Sequence, residues 1–332
     1  MMRKKARVAL LGDGRIGQAV RYYCQRSGFV KTAEFLRKDK DLGSFDLLIG
    51  ALPGGIGERC LQLALAYKKN LIDISDVDPP AYLKQRKEIE KRGIVVIPGC
   101  GFSPGLVNFL LGYEFSSGKR ISKVEIRAGS LSPRESFYPF LWCFEDIIVE
   151  HTIPSWQLIA GEKKKFRPFD GYRKEIFRGI PAENYYCPSG FENLLKKFHV
   201  QDFICRVVRP RGFQTFFSFL KNQGCFKKDA LPMAKRLLES VKEDNITLGE
   251  IFFSAGNKTV LWSMYASSRA GEKLNSMQKI TAAVPAAVAQ FLLEGKIKEK
   301  GLIFMDELAE DHGVAGALLA EIRKRGIRVE RK

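Results

Sequence analysis

Three glycines near the start of the chain have the spacing of a turn that binds phosphate groups. Gly12, Gly14 and Gly17 follow the apolar run at residues 8–11, which is typical of a buried parallel strand, and precede a stretch that suits a helix. A dinucleotide site needs a sharp turn, a close approach of the backbone to the pyrophosphate and tight helix packing, in that order. The first N–H groups of the helix can then bind the phosphates, because they have no partner inside the helix. We therefore predict a dinucleotide site here, with a purely structural turn as the alternative. The predicted contacts are Gly12, Gly14, Arg15, Ile16 and Gly17.

The next predicted strand, at residues 29–36, carries the residues that would recognise the adenosine ribose. An acidic residue about 20 positions beyond the glycines binds the ribose hydroxyls in such folds, and Glu34 has suitable spacing for NAD. Arg37 and Lys38 follow at once and could instead hold the 2′-phosphate of NADP, so both cofactors stay open. Only a short polar stretch leads to the next strand, where a full mononucleotide half would add a helix, a strand and a helix. The predicted domain is therefore compact and trimmed after its second strand.

The strands predicted at residues 45–53 and 70–76 both end in small or polar residues. Parallel strands end at the same edge of a sheet, and ligands bind there at the point where the strand order reverses. The residues after these strands would therefore lie beside the nicotinamide half of the cofactor, although a plain tight turn would also explain the glycines at residues 54–55. The predicted cofactor contacts are Ala51, Leu52, Pro53 and Ser75.

A bend rich in glycine and proline follows the β-branched strand at residues 93–97. A helix is predicted to begin near Pro104, where a missing N–H costs least, with Ser103 as its N-cap. The N-terminus of this helix would point at the group beside the nicotinamide. We therefore predict that Ser103 and Asn108 contact the substrate, although capping alone would also explain Ser103.

The length of 332 residues and a hydrophobic content of 45% favour two globular domains. No apolar run approaches the ~20 residues that a bilayer requires, and the opening segment does not predict a secretory signal. The seven cysteines occur singly and there are three histidines, so we expect reduced thiols, no disulfide framework and no zinc site. These patterns predict a cytoplasmic protein without a membrane segment or a bound metal.

The chain has 55 basic and 37 acidic residues, which gives a net charge of +18. The basic residues are spread in small groups such as 163–165 and 323–325, and no known nucleic-acid motif accompanies them. We interpret the charge mainly as solvated surface; a field that gathers an anionic substrate or cofactor is the next alternative. We expect no nucleic-acid partner.

Several motifs occur in a fixed order along nearly the whole chain. The first half contains Gly12-x-Gly14-x-x-Gly17, Ile49-Gly50-Ala51-Leu52-Pro53-Gly54, Asp73-Ile74-Ser75 and Gly101-Phe102-Ser103-Pro104-Gly105-x-x-Asn108. The second half contains Trp142-x-x-Glu145-Asp146-Ile147-Ile148-x-Glu150-His151-Thr152-x-Pro154, Ser189-Gly190 followed by Leu194-Leu195, and Thr281-x-x-x-Pro285-Ala286-Ala287. This ordered series resembles the saccharopine dehydrogenase-like family, in particular its lysine 6-dehydrogenase members.

The resemblance implies an α/β fold with an N-terminal Rossmann domain at residues 1–120. It implies a second, mixed-sheet α+β domain at residues 121–277 for catalysis and dimerisation, and C-terminal helices within residues 278–332 that return to the first domain. The implied activity is oxidation or reduction, with NAD or NADP, of a carbon that bears nitrogen in a lysine-like or saccharopine-like amino acid. The implied assembly is a homodimer.

Three departures from the family pattern leave the substrate open. Ser103 stands where the saccharopine-reducing members usually have Asp, and residues 129–132 read Gly-Ser-Leu-Ser in place of Gly-Gly-Leu-Pro. In the segment that resembles R-[WY]-P-G-H, Arg209 and Gly212 are kept, but Phe213 replaces the His. Any polar contact that family members make with that His is therefore lost.

An amino-acid oxidoreductase must hold the carboxylate of its substrate. Arg206, Arg209 and Arg211 suit this role, because a guanidinium fork pairs with both carboxylate oxygens. We expect strand alternation to place all three on one face, provided that Pro210 does not break the strand. Arg209 and Arg211 are the predicted substrate contacts, with surface salt bridges as the alternative.

The same reaction must move a proton on nitrogen. Glu145 and His151 are the predicted catalytic residues; they are six positions apart, so they would need a bend to converge. A structural role for His151 and binding of the substrate amino group by Glu145 are the alternatives. The candidate pocket-lining aromatics, for which core packing is the alternative, are Trp142, Tyr185 and Tyr186.

The sequence thus predicts an NAD(P)-dependent oxidoreductase acting on a carbon–nitrogen centre of an amino acid. The alternative is a dinucleotide-binding protein without catalysis, a sensor or a scaffold, which the trimmed adenine side and Phe213 would favour. A nucleic-acid binder has only the net charge in its support.

Overall fold

The computed structural model describes residues 5–36, 41–75, 77–134, 137–188, 194–240 and 242–332. The chain forms two compact units. The first contains the chain up to Lys119 together with Gln278–Ile327, and the second contains Arg120–Met277 together with Arg328–Lys332. The last five residues thus lie in the second unit, whereas the sequence-based boundaries assign them to the first domain.

The first unit begins with alternating strands and helices. In chain order they are β1 (Ala6–Leu11), α1 (Arg15–Arg26), β2 (Val30–Phe35), β3 (Leu47–Gly50), α2 (Glu58–Tyr67), β4 (Asn70–Asp73), α3 (Pro79–Lys84), α4 (Arg86–Arg92), β5 (Val95–Ile97) and α5 (Leu106–Phe115). α3 and α4 are separate helices, because the backbone of Gln85 leaves the helical conformation between them.

The second unit is built mainly from strands. They are β6 (Lys123–Leu131), α6 (Phe144–Glu150), β7 (Ser155–Ile159), β8 (Glu162–Phe166), β9 (Arg173–Phe177), β10 (Ile180–Tyr186), α7 (Leu194–Lys197), β11 (Asp202–Pro210), α8 (Phe213–Asn222), α9 (Leu231–Ser240), β12 (Asn245–Ala255) and β13 (Lys258–Ser268).

The remaining elements are α10 (Ser276–Leu293), β14 (Gly301–Leu302), α11 (Met305–Leu308), α12 (His312–Lys324) and β15 (Arg328–Arg331).

A six-stranded parallel sheet forms the centre of the first unit, in the order β14-β5-β4-β3-β1-β2. The apolar residues of its central strands β1, β3 and β4 are buried, as expected for a parallel sheet covered on both faces. β3 pairs directly with β1, and the described residues between β2 and β3 form only one short 3-10 turn at Leu42–Ser44. The sheet therefore ends at β2, which confirms the trimmed Rossmann domain that the sequence predicts.

A nine-stranded mixed sheet forms the second unit. Its main path is β15-β13-β12-β6-β11-β10-β9, with β7 joined to β11 and β8. β6 and β11 run parallel, and the other pairs are antiparallel. β12 and β13 form a hairpin, closed by a two-residue loop at Gly256 and Asn257.

No helix in the described part of the chain combines the length and the apolar character needed to cross a bilayer.

Candidate functional site

The turn after β1 has a geometry that only glycine allows at two positions. Gly12 has a φ of +119°, and a Cβ atom there would lie 2.4 Å from the carbonyl oxygen of Ala51. A Cβ atom on Gly17 would lie 2.1 Å from the carbonyl oxygen of Gly12. Both contacts are with backbone atoms that cannot move aside, so Gly12 sets the turn and Gly17 lets α1 pack against it.

Gly14 has a different environment from the other two glycines. It is the N-cap of α1, without a hydrogen bond from a side-chain cap, and a Cβ atom there would meet nothing within 4 Å. The space in front of the first turn of α1 is therefore open at Gly14, where the helix dipole favours an anion. The carbonyl oxygen of Arg15 accepts a hydrogen bond of 2.8 Å from Nε2 of Gln278, which ties this turn to α10.

The end of β3 is held in place by Ser75. The N–H of Ala51 donates to the carbonyl oxygen of Leu11, and the N–H of Leu52 donates to Oγ of Ser75 at 3.1 Å. The Ser75 side chain is buried, so its hydroxyl serves the protein backbone at this point. Its predicted contact with a cofactor stays a prediction, as do those of Ala51, Leu52 and Pro53.

A buried carboxyl group, Asp73, fixes the end of β4. Its Oδ1 accepts from the N–H of Ser75 and its Oδ2 accepts from the hydroxyl of Tyr82, both at 2.8 Å. Burial raises the pKa of Asp73, while these hydrogen bonds oppose that effect. Sequence reasoning quoted Asp73 within a motif but gave it no role; the signal available was a lone acid at the end of an apolar strand.

The residues expected at the adenosine ribose are only partly described. Glu34 lies in β2 opposite Ala9 and is partly buried. Arg37 lies outside the described residues, as does Lys38. The choice between NAD and NADP therefore stays open.

The start of α5 corrects one expectation. The helix begins at Leu106, and its N-cap is Gly105, which has a φ of +136°. Oδ1 of Asn108 accepts from the N–H of Gly105 at 2.8 Å. Ser103 is exposed and is not the N-cap. The side-chain oxygen of Asn108 already accepts a hydrogen bond within the protein. The predicted substrate contacts of Ser103 and Asn108 stay predictions.

In the second unit, His151 is buried at the end of α6, and only one of its two ring nitrogens has a hydrogen-bond partner among the described residues. Nδ1 lies 2.7 Å from the carbonyl oxygen of Ile147 and donates to it, since a carbonyl can only accept. Nε2 has no partner among the described residues. Burial, and then the charge of Arg209, lower the pKa of His151 well below its ordinary value, so the ring is neutral and Nε2 presents a lone pair.

Arg209 is buried beside His151 and already has a carboxylate partner. Its Nη2 lies 2.5 Å from Oε2 of Glu150, and the same oxygen lies 3.6 Å from Nδ1 of His151. Burial lowers the pKa of Arg209, but the Glu150 charge outweighs it and raises the pKa above its ordinary value. Sequence reasoning missed this pairing, because Glu150 and Arg209 are 59 positions apart.

Glu150, His151, Tyr185 and Arg209 form what we call the Arg209 cluster. Three of its buried polar atoms lack a partner among the described residues: Nε2 of His151, the hydroxyl of Tyr185 and Nε of Arg209. Because buried polar groups are normally hydrogen-bonded, this cluster can accept and donate further bonds to a small polar group.

Aromatic rings enclose the Arg209 cluster. The ring centroid of His151 lies 4.9 Å from that of Phe213 and 5.1 Å from that of Phe217, and Tyr138 lies 4.5 Å from Phe213. Phe213, the departure from the family pattern, thus packs directly on His151. His151, Tyr185 and Arg209 are buried among these rings, and the low local dielectric strengthens the electrostatic interactions inside.

Glu145 has other neighbours. Its carboxylate oxygens lie 2.8 Å and 2.9 Å from Nζ of Lys235. Burial tends to raise its pKa, but Lys235 outweighs this and the pKa lies below its ordinary value. Glu145 pairs with Lys235 and His151 binds the carbonyl of Ile147, so these two predicted catalytic residues have separate partners.

The expectation that three arginines share one face of β11 is wrong. Side chains alternate along a strand, so Arg206 and Arg209, three positions apart, point to opposite faces. Arg206 contacts Asn184 and Gly171, whereas Arg209 contacts Glu150. Arg211 follows the end of β11 and is exposed.

No protein-family model matches the chain. Among solved structures, the apo, histidine-tagged saccharopine dehydrogenase (L-Glu forming) of Saccharomyces cerevisiae is similar, with a TM-score of 0.80 and 16% identity. The match covers 98% of this chain and 99% of that chain. The chain therefore has the fold of that saccharopine dehydrogenase, as the motif series predicts.

Two further solved structures are similar at a TM-score of 0.48 and 13% identity, over 92% of this chain and 94% of theirs. They are an engineered D-amino acid dehydrogenase bound to NADP+ and the DAP dehydrogenase of C. glutamicum in complex with DAP.

Proposed function

We propose that the chain is an NAD(P)-dependent oxidoreductase that acts on a carbon–nitrogen centre of an amino acid, of the saccharopine or lysine dehydrogenase type. The observation that carries the proposal is the turn after β1. Gly12 and Gly17 permit backbone contacts that a Cβ atom would prevent, while Gly14 leaves the start of α1 open. This is the arrangement that a pyrophosphate needs.

The residues of the first unit would bind the dinucleotide. N–H groups at the start of α1, including those of Arg15 and Ile16, would hold the pyrophosphate, and Glu34 or Arg37 would bind the ribose or its phosphate. Ala51, Leu52 and Pro53 would line the nicotinamide half, with Ser75 holding that loop through its bond to Leu52. The dinucleotide, when bound, accepts or supplies the hydride.

We assign the substrate groups to the second unit and to the start of α5. Arg209 and Arg211 would bind a carboxylate, and the unpartnered Nε of Arg209 supports this role. The neutral Nε2 of His151 would accept a proton from nitrogen. Glu145, held anionic by Lys235, suits the binding of a substrate ammonium group better than proton donation. Ser103 and Asn108 complete the proposed substrate contacts.

The same proposal includes the roles of the two domains, the assembly and the location of the protein. Residues 1–120 with the C-terminal helices form the cofactor domain, and residues 121–277 form the catalytic domain. The active form is a cytoplasmic homodimer.

The test uses two glycine-to-alanine variants that differ in position only. Gly14→Ala places a methyl group where the pyrophosphate would approach, while Gly28→Ala, beyond the other end of α1, also meets no atom within 4 Å. We expect Gly14→Ala to weaken the binding of NADH or NADPH at least about tenfold, ~1.4 kcal/mol, with only a small loss of thermal stability from the poorer N-cap. Gly28→Ala should bind like the wild type. Equal binding by all three proteins would overturn the cofactor assignment.

Turnover is tested separately, with lysine, saccharopine and related pairs that form imines, by the absorbance of the reduced nicotinamide. A second candidate function, dinucleotide binding without catalysis, is favoured by the Glu150 carboxylate that already occupies Arg209 and by Phe213 against His151. Tight binding in calorimetry with no turnover on any of these substrates would support the second candidate. Turnover of one of them would exclude it.

A further inference from the structure

Strand β11 presents two buried arginines to opposite faces of its sheet, and only one of them has a close anion. Nη2 of Arg209 lies 2.5 Å from a carboxylate oxygen of Glu150. For Arg206, the ion-pair distance is 3.6 Å, from its Nε to Oε1 of Glu125, which is too long for a hydrogen bond. Arg209 therefore has a hydrogen-bonded carboxylate partner, and Arg206 does not.

Arg206 is held firmly on one side. Its Nη1 donates to the carbonyl oxygen of Gly171 at 2.7 Å and to Oδ1 of Asn184 at 2.9 Å. Its guanidinium carbon lies 4.5 Å from the ring centroid of Tyr186, and only 1% of the residue is exposed. These contacts fix the plane of the guanidinium group.

The other edge of this group has no partner. Nε and Nη2 of Arg206, which we call the Arg206 fork, are buried and make no hydrogen bond with any described residue. Nδ2 of Asn184, itself fully buried, lacks a partner in the same way. All three atoms are N–H donors, so what the structure lacks here is an acceptor.

The charges around the Arg206 fork favour a negative acceptor. Arg127 binds Glu125 at 2.8 Å and Glu175 at 3.2 Å, and Arg173 lies 3.8 Å from Glu125. With Lys123, whose ammonium group lies 4.0 Å from Glu125, and Glu250, which interacts with Arg127, four cationic groups face three carboxylates. Glu125 opposes a further anion, but both of its short ion-pair contacts are with Arg127.

The pKa shifts of the two arginines agree with this difference in their partners. Burial, and then the charge of Arg173, lower the pKa of Arg206, whereas Glu150 raises that of Arg209. An arginine that is destabilised as a cation gains from a bound anion.

We propose that the Arg206 fork and the Asn184 amide bind an oxyanion, the carboxylate or phosphate group of a small molecule. Two parallel N–H groups match two oxygens of such a group, and the Asn184 amide, which binds Nη1 of the same guanidinium group through Oδ1, has an unpartnered N–H donor beside it. The side chain of Arg173 is half exposed, so we expect the anion to approach past this residue. The site lies on the face of β11 opposite the Arg209 cluster and does not depend on the proposed function.

The test measures the thermal stability of the full chain in sodium acetate, sodium phosphate and sodium chloride at equal ionic strength. We expect acetate or phosphate to raise the Tm above the value in chloride, because a ligand that binds only the folded state stabilises it. A response to acetate alone identifies a carboxylate ligand, and a response to phosphate alone identifies a phosphate ligand.

Three variants locate the effect. Arg206→Lys keeps the charge but removes the fork, and Asn184→Asp places an internal carboxylate beside Arg206. Both should weaken anion binding at least about tenfold, and Asn184→Asp stays informative if the arginine variant does not fold. Arg167→Gln, which removes a charge from an almost fully exposed side chain, should bind like the wild type.

A second readout follows the Nε–H resonance of Arg206, assigned by its loss in Arg206→Lys. It should shift when phosphate or acetate is added. The proposal is overturned if chloride acts as strongly as the oxyanions, or if both site variants keep the full response. It is also overturned if the Nε–H resonance moves with protein concentration alone, since a second copy of the chain would then fill the fork.

Discussion

Among single residues, His151 has the environment that most clearly predicts a pH dependence. The pKa of His151 is well below 6.5 in the folded protein, mainly because the ring is buried. In the unfolded chain its pKa is ~6.5, so the unfolded chain alone takes up this proton as the pH falls below that value. The folded protein is therefore expected to lose stability below pH ~6.5, by up to about 1.4 kcal/mol at pH ~5.5 from this residue.

The measurement is urea unfolding of the wild type and His151→Gln at pH ~7.5 and ~5.5. The wild type should lose more stability than the variant between these two pH values, by up to about 1.4 kcal/mol. His199→Gln, which changes an exposed histidine of the second unit, should behave like the wild type. Equal losses in the wild type and His151→Gln would contradict the burial of a neutral ring.

For single residues, the sequence predicts a role where that role depends on neighbours close in the chain. Gly12 and Gly17 could be found because a turn and a close helix contact follow directly from their spacing. Glu150 beside Arg209 could not, since the pairing depends on how β11 and α6 meet, 59 positions apart in sequence. The grouping of Arg206 with Arg209 fails for a simpler reason: residues three positions apart on a strand face opposite ways.

Between elements, the packing of α5 against α11 depends on a glycine. A Cβ atom on Gly112 would lie 2.0 Å from the carbonyl oxygen of Asp306, whereas one on Gly316, exposed in α12, would meet nothing within 4 Å. Alanine is the better helix former by ~1 kcal/mol at either position. We expect Gly316→Ala to stabilise the protein by ~0.5–1 kcal/mol, and Gly112→Ala to destabilise it by at least ~1 kcal/mol because of the overlap.

Thermal or urea unfolding of both variants beside the wild type checks this pair. If Gly112→Ala were as stable as Gly316→Ala, α5 and α11 could not approach as closely as the structure shows.

Element boundaries show where sequence patterns are sufficient. The strands β1, β3 and β4 are apolar runs, and the β12–β13 hairpin has Gly256 and Asn257 in its turn, so their positions follow from the sequence. The start of α5 does not follow. Ser103 and Pro104 have the residue types of a helix start, but the positive φ of Gly105 and the bond from Gly105 to Asn108 place the N-cap two residues later.

Across the whole molecule, the last strand of the chain covers an edge of the second sheet. β15 pairs with β13 through Trp262 opposite Arg331 and Met264 opposite Val329, and Leu261 exchanges two backbone hydrogen bonds with Lys332. Without residues 328–332, the 11-residue strand β13 would have an unpaired edge, which invites association with another chain.

We therefore expect a protein that lacks residues 328–332 to form larger species than the full chain at the same concentration. We also expect it to lose at least ~1 kcal/mol of stability through the missing hydrogen bonds. Size-exclusion chromatography with light scattering checks the first outcome and urea unfolding the second. Glu330→Gln, which changes an exposed side chain and leaves the strand in place, is the control. Identical elution of the truncated and full proteins would show that the edge is not at risk.

For the whole molecule, the overall α/β architecture follows from the order of the motifs. The assignment of residues 278–327 to the first unit and of residues 328–332 to the second does not. The pattern at 328–331, Arg-Val-Glu-Arg, is too short to show which sheet it joins. Its partner is fixed by β13, more than 60 positions earlier in the chain.

Each unit contains two separate segments of the chain, and this has a consequence for biosynthesis. A ribosome releases residues 120–277 before β14 and the helices that complete the first unit, and it releases β15, the edge strand of the second sheet, after all of these. The second sheet therefore cannot be completed until residues 328–331 have emerged. Until then, the edge of β13 that β15 covers stays open to chaperones and to premature partners.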